Sequence, residues 1–317
     1  MTIALSRRES SFQAVSRGRL SRSVAAAMLT CATAWSAAVL FLWLAQPWLL
    51  FRSFDDGETT DFDRHVFVES SFMTADGLRL EGVRLTHATD GERYWILFCL
   101  PAGASIREAR TQGHLEQLWR LDYNVFAFDY RGMGGNGGTP SEGGFYEDAI
   151  AAYRSLISAD HVAPARVILA GRSLGTSVAV DLATRVESGG LLLFSPIDSV
   201  PAAAARLYPW APVALLARYR FDNSLKAPAV RAPVMVVYGA PDPYLPLGKA
   251  RSLFETFPRH VKMLETQGNH HHSGFKDMSE VRQLNAALHD IWPVAAVRRA
   301  ASPDVAALEV KVDAPNR

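Results

Sequence analysis

Most of the chain alternates between short apolar runs and longer amphipathic stretches. The apolar runs have the length of β-strands and lie at residues 66–73, 78–85, 94–100, 124–130, 166–170, 191–194, 233–238 and 261–264. Helix-length stretches fall mainly between the later runs, at 107–120, 143–158, 174–187, 248–257 and 275–291. This alternation predicts a mostly parallel sheet covered by helices on both faces. Ala75-Asp76-Gly77 separates the first two runs and predicts a hairpin.

The N-terminal part of the chain has a different pattern. Residues 23–51 contain no Asp, Glu, Lys, Arg or His, and the most apolar part, 24–45, would form a helix about 33 Å long. Such a helix can cross a hydrocarbon core of about 30 Å, so we predict a transmembrane segment. A cleaved signal peptide is the alternative, with Ala32-Thr33-Ala34 as its cleavage site. Cleavage there would leave the apolar residues 35–51 on the mature protein, which favours an uncleaved signal anchor.

The charges beside this segment predict the topology and divide the chain into parts. Arginines precede the segment and acidic residues follow it, which favours a cytoplasmic N-terminus and a domain outside the cytoplasm, in the periplasm if the protein is bacterial. The predicted parts are a basic cytoplasmic leader (1–22), a transmembrane signal anchor (23–51), an acidic linker (52–64), a globular domain (65–296) and a disordered tail (297–317).

Composition narrows the classes of function. The 33 Lys and Arg residues balance 32 Asp and Glu residues, so no cationic field favours nucleic acid as a partner. The cysteines, Cys31 and Cys99, are too few for a disulfide framework or a four-cysteine zinc site. Gly132-x-Gly134-x-x-Gly137 matches a dinucleotide fingerprint, but Pro140 follows where a helix should begin, so we interpret it as a loop. We expect no cofactor and no metal, and nothing in the sequence indicates the oligomeric state.

One serine lies where a buried strand meets a helix. The run 166–170 leads into Gly171-Arg172-Ser173-Leu174-Gly175 and then into the stretch 174–187. A tight strand-to-helix turn needs glycine at both flanks, because a Cβ there would clash with neighbouring backbone. The turn would expose the hydroxyl of Ser173 above the sheet and present the Leu174 N–H to a developing oxyanion. We therefore predict that Ser173 is a nucleophile.

A serine nucleophile needs a base and an orienting acid, and candidates follow two later strands in the expected order. Asp242 comes after the run 233–238, and His270 comes after the run 261–264. His271 is an alternative base, and Asp198 is an alternative acid. The adjacent histidines are a poor metal site, because neighbouring side chains point apart and no His-Glu-x-x-His motif accompanies them.

Several of these motifs together resemble a known family. Asp129-Tyr130-Arg131-Gly132 is similar to the loop after the fourth strand in α/β-hydrolases, and the Ser173, Asp242 and His270 loops continue the likeness across about residues 67–291. The chain most resembles membrane-anchored members with a single N-terminal span. The resemblance implies an α/β-hydrolase fold with a mostly parallel central sheet of about eight strands. It also implies a serine hydrolase of esters, thioesters or amides with Ser173, Asp242 and His270 as its triad.

The loop after the third strand departs from the family pattern. Where the family usually has His-Gly, this chain reads Cys99-Leu-Pro101-Ala102. Pro101 has no N–H, but the backbone of Ala102 can supply the second oxyanion donor beside Leu174. This departure keeps a second hypothesis open, namely a non-catalytic binding or scaffolding protein on the same fold. The apolar segment 201–218 predicts a small lid, which with the membrane segment favours acyl or lipid-like substrates.

Overall fold

The computed structural model describes residues 3–52, 67–87, 93–240, 242–267, 274–275 and 277–293. For residues 3–22 and for residue 111 it describes the backbone alone. The predicted linker, apart from Arg52, and the predicted tail lie outside the described residues.

The core of the described chain is an eight-stranded sheet. Its strands are β1 (Phe67–Met73), β2 (Arg79–Leu85), β3 (Trp95–Cys99), β4 (Asn124–Phe128), β5 (Val167–Arg172), β6 (Gly190–Phe194), β7 (Val234–Gly239) and β8 (His260–Thr266). They lie in the order β1-β2-β4-β3-β5-β6-β7-β8. The predicted hairpin pairs β1 with β2, β2 is antiparallel to β4, and all later pairs are parallel. The predicted fold is confirmed.

The central strands are apolar on both faces because helices cover both sides of the sheet. Every residue of β4, β5, β6 and β7 is buried. The helices that follow the sheet strands are α2 (Ile106–Thr111), α3 (His114–Arg120), α4 (Glu142–Ser158), α5 (Leu174–Arg185), α6 (Val200–Leu207), α7 (Val213–Leu216), α8 (Asn223–Lys226), α9 (Leu247–Thr256) and α10 (Met278–Ile291).

The stretch predicted as one helix over 107–120 is two helices. The chain breaks at Gly113, whose φ of 70° lies in the left-handed region that glycine adopts most readily. Amphipathic periodicity continues through this break, so the pattern alone does not reveal the change of direction.

The N-terminal segment forms one long helix, α1 (Ile3–Phe51). Its part Ser23–Phe51 is long and apolar enough to cross a membrane. The end of α1 packs against the globular domain. The Phe51 side chain is buried, and its ring lies edge-on to Phe145 (5.1 Å between centroids) and Tyr219 (4.9 Å).

Candidate active site

Ser173 occupies a strained turn between β5 and α5. Its φ of 51° and ψ of −121° are rarely adopted by a residue with a side chain. The Ser173 N–H donates to the Phe194 carbonyl at 3.0 Å, which ties the turn to the end of β6. Backbone strain of this kind costs about 1–3 kcal/mol and persists only where the surrounding structure enforces it.

The two flanking glycines are required by close packing. A Cβ on Gly171 would lie 2.2 Å from the Gly175 carbonyl oxygen, and a Cβ on Gly175 would lie 2.2 Å from the Cys99 carbonyl oxygen. Both distances are too short for any side chain. The start of α5 therefore lies directly against the end of β3, which brings the loop after β3 close to the serine.

The proposed oxyanion donors line the same cavity as the serine. Leu174 is the first residue of α5, so its N–H has no partner within the helix. Ala102 lies in the turn after β3. Ser173, Leu174, Pro101 and Ala102 all contribute to the cavity wall. The structure thus brings together three of the five residues singled out from the sequence.

This cavity has a volume of about 450 Å³, within the usual range for small-molecule sites. One wall is the cap, which we define as residues 200–217 and which contains α6 and α7. The cap contributes mostly apolar side chains, among them Val200, Ala203, Leu207, Val213 and Leu216. The predicted apolar lid over 201–218 therefore corresponds to a wall of the cavity beside Ser173.

The carboxylate of Asp242 is buried just beyond the end of β7. Its Oδ1 accepts hydrogen bonds from the N–H groups of Tyr244 (2.8 Å) and Leu245 (3.2 Å). The alternative acid, Asp198, forms a two-point ion pair with Arg206, with contacts of 2.6 Å and 3.2 Å. Arg206 therefore already occupies both oxygens of Asp198.

His270 and the alternative His271 lie outside the described residues. The described residues on either side of them are held at the carboxyl edge of the sheet. The Gly274 N–H donates hydrogen bonds to the Glu280 carboxylate (3.1 Å) and to Thr266 Oγ1 (3.4 Å). The ring of Phe275 lies 5.3 Å from that of Phe194, the residue whose carbonyl holds Ser173.

Arg172, next to the serine, was not identified from the sequence. Its guanidinium is buried over the rings of Phe194 (5.0 Å) and Phe275 (5.4 Å). Burial lowers the pKa of Arg172 to about 9. Arg172 therefore connects β5, the strand before Ser173, with Phe275, which follows the histidine segment. Its position at the end of a fully buried strand was the signal that could have identified it.

Glu280 and Gln46 were also missed. Glu280 lies in the first turn of α10, three positions after the N-cap residue Asp277, a spacing that by itself indicates only a helix start. In the structure the Glu280 carboxylate accepts a hydrogen bond from the Gly274 N–H. Gln46 lines the cavity from α1. It is a single amide near the end of an otherwise apolar segment, and that exception was the available signal.

The segment with the dinucleotide fingerprint is a loop, as predicted. The Gly132 N–H donates to the Gly137 carbonyl at 2.9 Å, and α4 begins only at Glu142. Arg131 fixes the start of this loop through an ion pair with the buried Asp148 (2.7 Å).

Three features together define an α/β-hydrolase: the antiparallel pair of strands at one edge of the sheet, the strained serine after β5 and the acid after β7. The model of the family described as serine aminopeptidase, S33, matches residues 102–226. The uncharacterized protein Rv2307c of Mycobacterium tuberculosis is 35% identical over 216 residues, which cover 67% of this chain and 75% of that protein. Human alpha/beta hydrolase domain-containing protein 17B is 34% identical over 155 residues, 48% of this chain and 51% of that protein.

Solved structures share the fold. An esterase from Pyrococcus furiosus superimposes with a TM-score of 0.61 at 18% identity, over 77% of this chain and 98% of that one. This chain belongs to the α/β-hydrolase superfamily, and it is a hydrolase by family.

Proposed function

We propose that this protein is a membrane-anchored serine hydrolase that cleaves carboxylic esters, thioesters or amides of acyl or lipid-like substrates. Ser173 is the nucleophile, His270 the general base and Asp242 the acid that orients the base. The backbone N–H groups of Leu174 and Ala102 form the oxyanion hole.

The strained backbone at Ser173 is the observation that carries the proposal. The strain costs stability, and the two glycines beside it accept no side chain. Such a costly turn is explained if it positions a reactive hydroxyl beside a helix N-terminus, where the N–H groups favour negative charge. The same strain argues against the alternative of a non-catalytic scaffold, which would gain nothing from it.

The reaction follows from these roles. His270 accepts the hydroxyl proton as the oxygen of Ser173 attacks the substrate carbonyl, and the oxyanion receives hydrogen bonds from Leu174 and Ala102. His270 then protonates the leaving group as the bond to the carbonyl carbon breaks, which leaves an acyl-enzyme. Water, deprotonated by His270, attacks that ester and releases the acid and the free serine.

The apolar cavity supports an acyl substrate. Its walls are largely aliphatic and aromatic, and its polar side chains include Glu108 on α2, Gln112 just after α2 and Gln46 on α1. Transfer of an acyl chain from water into such a cavity is favourable by about 0.8 kcal/mol per CH₂. A series of p-nitrophenyl esters tests this: kcat/KM should rise with chain length from acetate to octanoate. A preference for acetate would contradict an acyl pocket.

The anchor and its orientation form a separate part of the proposal. The arginines of the leader favour a cytoplasmic N-terminus, and therefore a domain on the other side of the membrane. A reporter that is active only outside the cytoplasm, fused after Asp63, should be active. Activity of a cytoplasmic reporter at the same position would reverse the orientation.

A further inference from the structure

Two side chains of the outer half of α1, Trp35 and Gln46, form hydrogen bonds with the backbone in and just after the cap. Trp35 Nε1 donates to the Trp210 carbonyl (3.2 Å). Gln46 Nε2 donates to the Leu216 carbonyl (3.0 Å), and Gln46 Oε1 accepts from the Arg218 N–H (2.8 Å). These contacts lie at the middle of the cap and at its C-terminal end. The apolar helix therefore contacts the cap, and side chains of both line the active-site cavity.

The sequence of α1 sets the depth of each contact in a bilayer. Arg22 marks the inner boundary, because a charged side chain is costly in the hydrocarbon core. A hydrocarbon core of about 30 Å then ends about 20 residues later, near Trp43. The Arg218 guanidinium lies over the Trp43 ring, 5.2 Å from its centroid. An aromatic ring with a cation over it suits the headgroup region. In a membrane crossed this way, Trp35, about 18 Å from Ser23, would lie within the outer leaflet, and its partner Trp210 would lie at the same depth.

The outer surface of the cap suits this environment. Leu207, Trp210 and Leu215 are exposed by 46%, 47% and 87% of their surfaces. Three large apolar side chains grouped on one small element are costly in water and favourable in a leaflet. They lie on the same element that Trp35 and Gln46 of α1 contact.

The cavity reaches the same depth. Val39 and Leu42 line it from α1, and Ser173 lines it from the sheet. Val39 lies about 24 Å along the helix from Ser23, which would place it inside a hydrocarbon core of about 30 Å. The space beside the nucleophile is thus continuous with side chains at the depth of lipid acyl chains.

We propose that the cap is embedded in the outer leaflet beside α1, and that the hydrolase takes its substrate directly from that leaflet as a membrane-resident long-chain acyl ester. The chain passes between α1 and the cap without crossing water, and its carbonyl reaches Ser173. This inference rests on the anchor and the serine hydrolase of the proposed function, and it adds the substrate class and the route.

Depth-dependent quenching tests the embedding without using activity. In a Cys31→Ala background, Leu215→Cys carries an environment-sensitive fluorophore in the full-length protein reconstituted into phosphatidylcholine vesicles. Cys99 does not compete for the label, because it is buried and burial raises the pKa of its thiol to about 12. The control is Leu225→Cys, 77% exposed in α8. Leu225 follows Phe221, whose ring centroid lies 6.4 Å from that of Phe51 at the outer end of α1. We therefore expect a label at 225 to lie outside the hydrocarbon core.

Nitroxides on lipid acyl chains should quench the label at 215 and leave the label at 225 unquenched. Absence of quenching at 215 in protein that floats with the vesicles overturns the embedding and leaves the anchor intact. Protein that fails to float with the vesicles overturns the anchor, and the embedding with it.

Activity tests the route. Leu215→Glu should slow hydrolysis of a palmitoyl ester held in phosphatidylcholine vesicles about tenfold, because the charge opposes embedding. Its rate on p-nitrophenyl butyrate in detergent should stay within about twofold of the wild type. Leu225→Glu should change neither rate. Equal vesicle rates for Leu215→Glu and wild type contradict the route. Quenching of the label at 215, together with a wild type that hydrolyses no ester, contradicts the proposed hydrolase and the substrate named here.

Discussion

The phenol of Tyr130 donates a hydrogen bond to the Leu100 carbonyl oxygen at 3.2 Å. Tyr130 follows β4 and is buried, and its ring stacks on Phe145 with centroids 4.1 Å apart. Leu100 immediately precedes Pro101 and Ala102, which line the cavity beside Ser173. Tyr130 therefore holds the loop from which Ala102 would donate to the oxyanion.

Removal of this hydroxyl should affect both stability and catalysis. Tyr130→Phe keeps the stacked ring but leaves the Leu100 carbonyl without this donor. We expect the free energy of unfolding to fall by about 1–3 kcal/mol. We also expect kcat to fall with little change in KM, because the oxyanion donor acts mainly in the transition state. Urea denaturation and ester kinetics measure the two effects.

Tyr153→Phe is the matched control for that variant. The Tyr153 hydroxyl donates to the Glu187 carbonyl at 2.6 Å, at the far end of α4 and α5 from the serine. Its loss should lower stability by a similar amount and leave kcat unchanged. If both variants lower kcat equally, Tyr130 has no specific role at the oxyanion loop.

Gly175 should tolerate no side chain. A Cβ there meets the Cys99 and Leu100 carbonyl oxygens at 2.2 and 2.5 Å, so Gly175→Ala must push α5 away from β3. We expect loss of esterase activity together with a lower melting temperature. Gly143→Ala, where a Cβ would meet no atom within 4 Å, should keep activity and slightly raise helix stability. Full activity in Gly175→Ala would show that the close approach is unimportant for catalysis.

The two candidate acids should respond differently to substitution by asparagine. Asp242→Asn keeps Oδ1 for the N–H groups of Tyr244 and Leu245, so the fold should survive. It cannot stabilise an imidazolium, and turnover should fall by about ten-thousandfold, as in a typical triad. The deficit should shrink at alkaline pH, where hydroxide replaces the base. Ester hydrolysis with circular dichroism as the fold control measures this.

Asp198→Asn weakens the ion pair with Arg206, which is partly exposed. We expect a stability change of about 1 kcal/mol or less and nearly unchanged turnover. The reverse pattern, with Asp198→Asn inactive and Asp242→Asn active, assigns the acid to the position after β6.

The sheet could be predicted because its central strands are buried on both faces. A run such as Val234–Gly239 is apolar at every position, which few elements other than a central strand tolerate. The break at Gly113 could not be predicted, because helical periodicity continues across it. Its cause is one residue with positive φ, and many helices contain a glycine without a break.

The site was predictable only in part. A sequence motif depends on the residues next to it in the chain, and it gives no information about distant segments that pack against it. Ser173 is identified by its own neighbours, since two glycines must flank a tight turn. The contribution of α1 depends on contacts such as Gln46 with Leu216, which are 170 positions apart. No local pattern encodes that pairing. The acidic linker suggested instead that the apolar segment and the domain were separate.

We propose that Ser173 is a nucleophile activated at a strained turn. The most direct test labels the intact wild-type protein, Ser173→Ala and Ser252→Ala with a fluorophosphonate probe, followed by mass spectrometry of the labelled peptide. Ser252 is an exposed serine on α9 whose hydroxyl donates to the Gly248 carbonyl (3.0 Å), so it controls for the loss of a hydroxyl elsewhere. We expect one label on Ser173 in the wild type and in Ser252→Ala, and none in folded Ser173→Ala. Labelling that persists in Ser173→Ala would contradict this proposal.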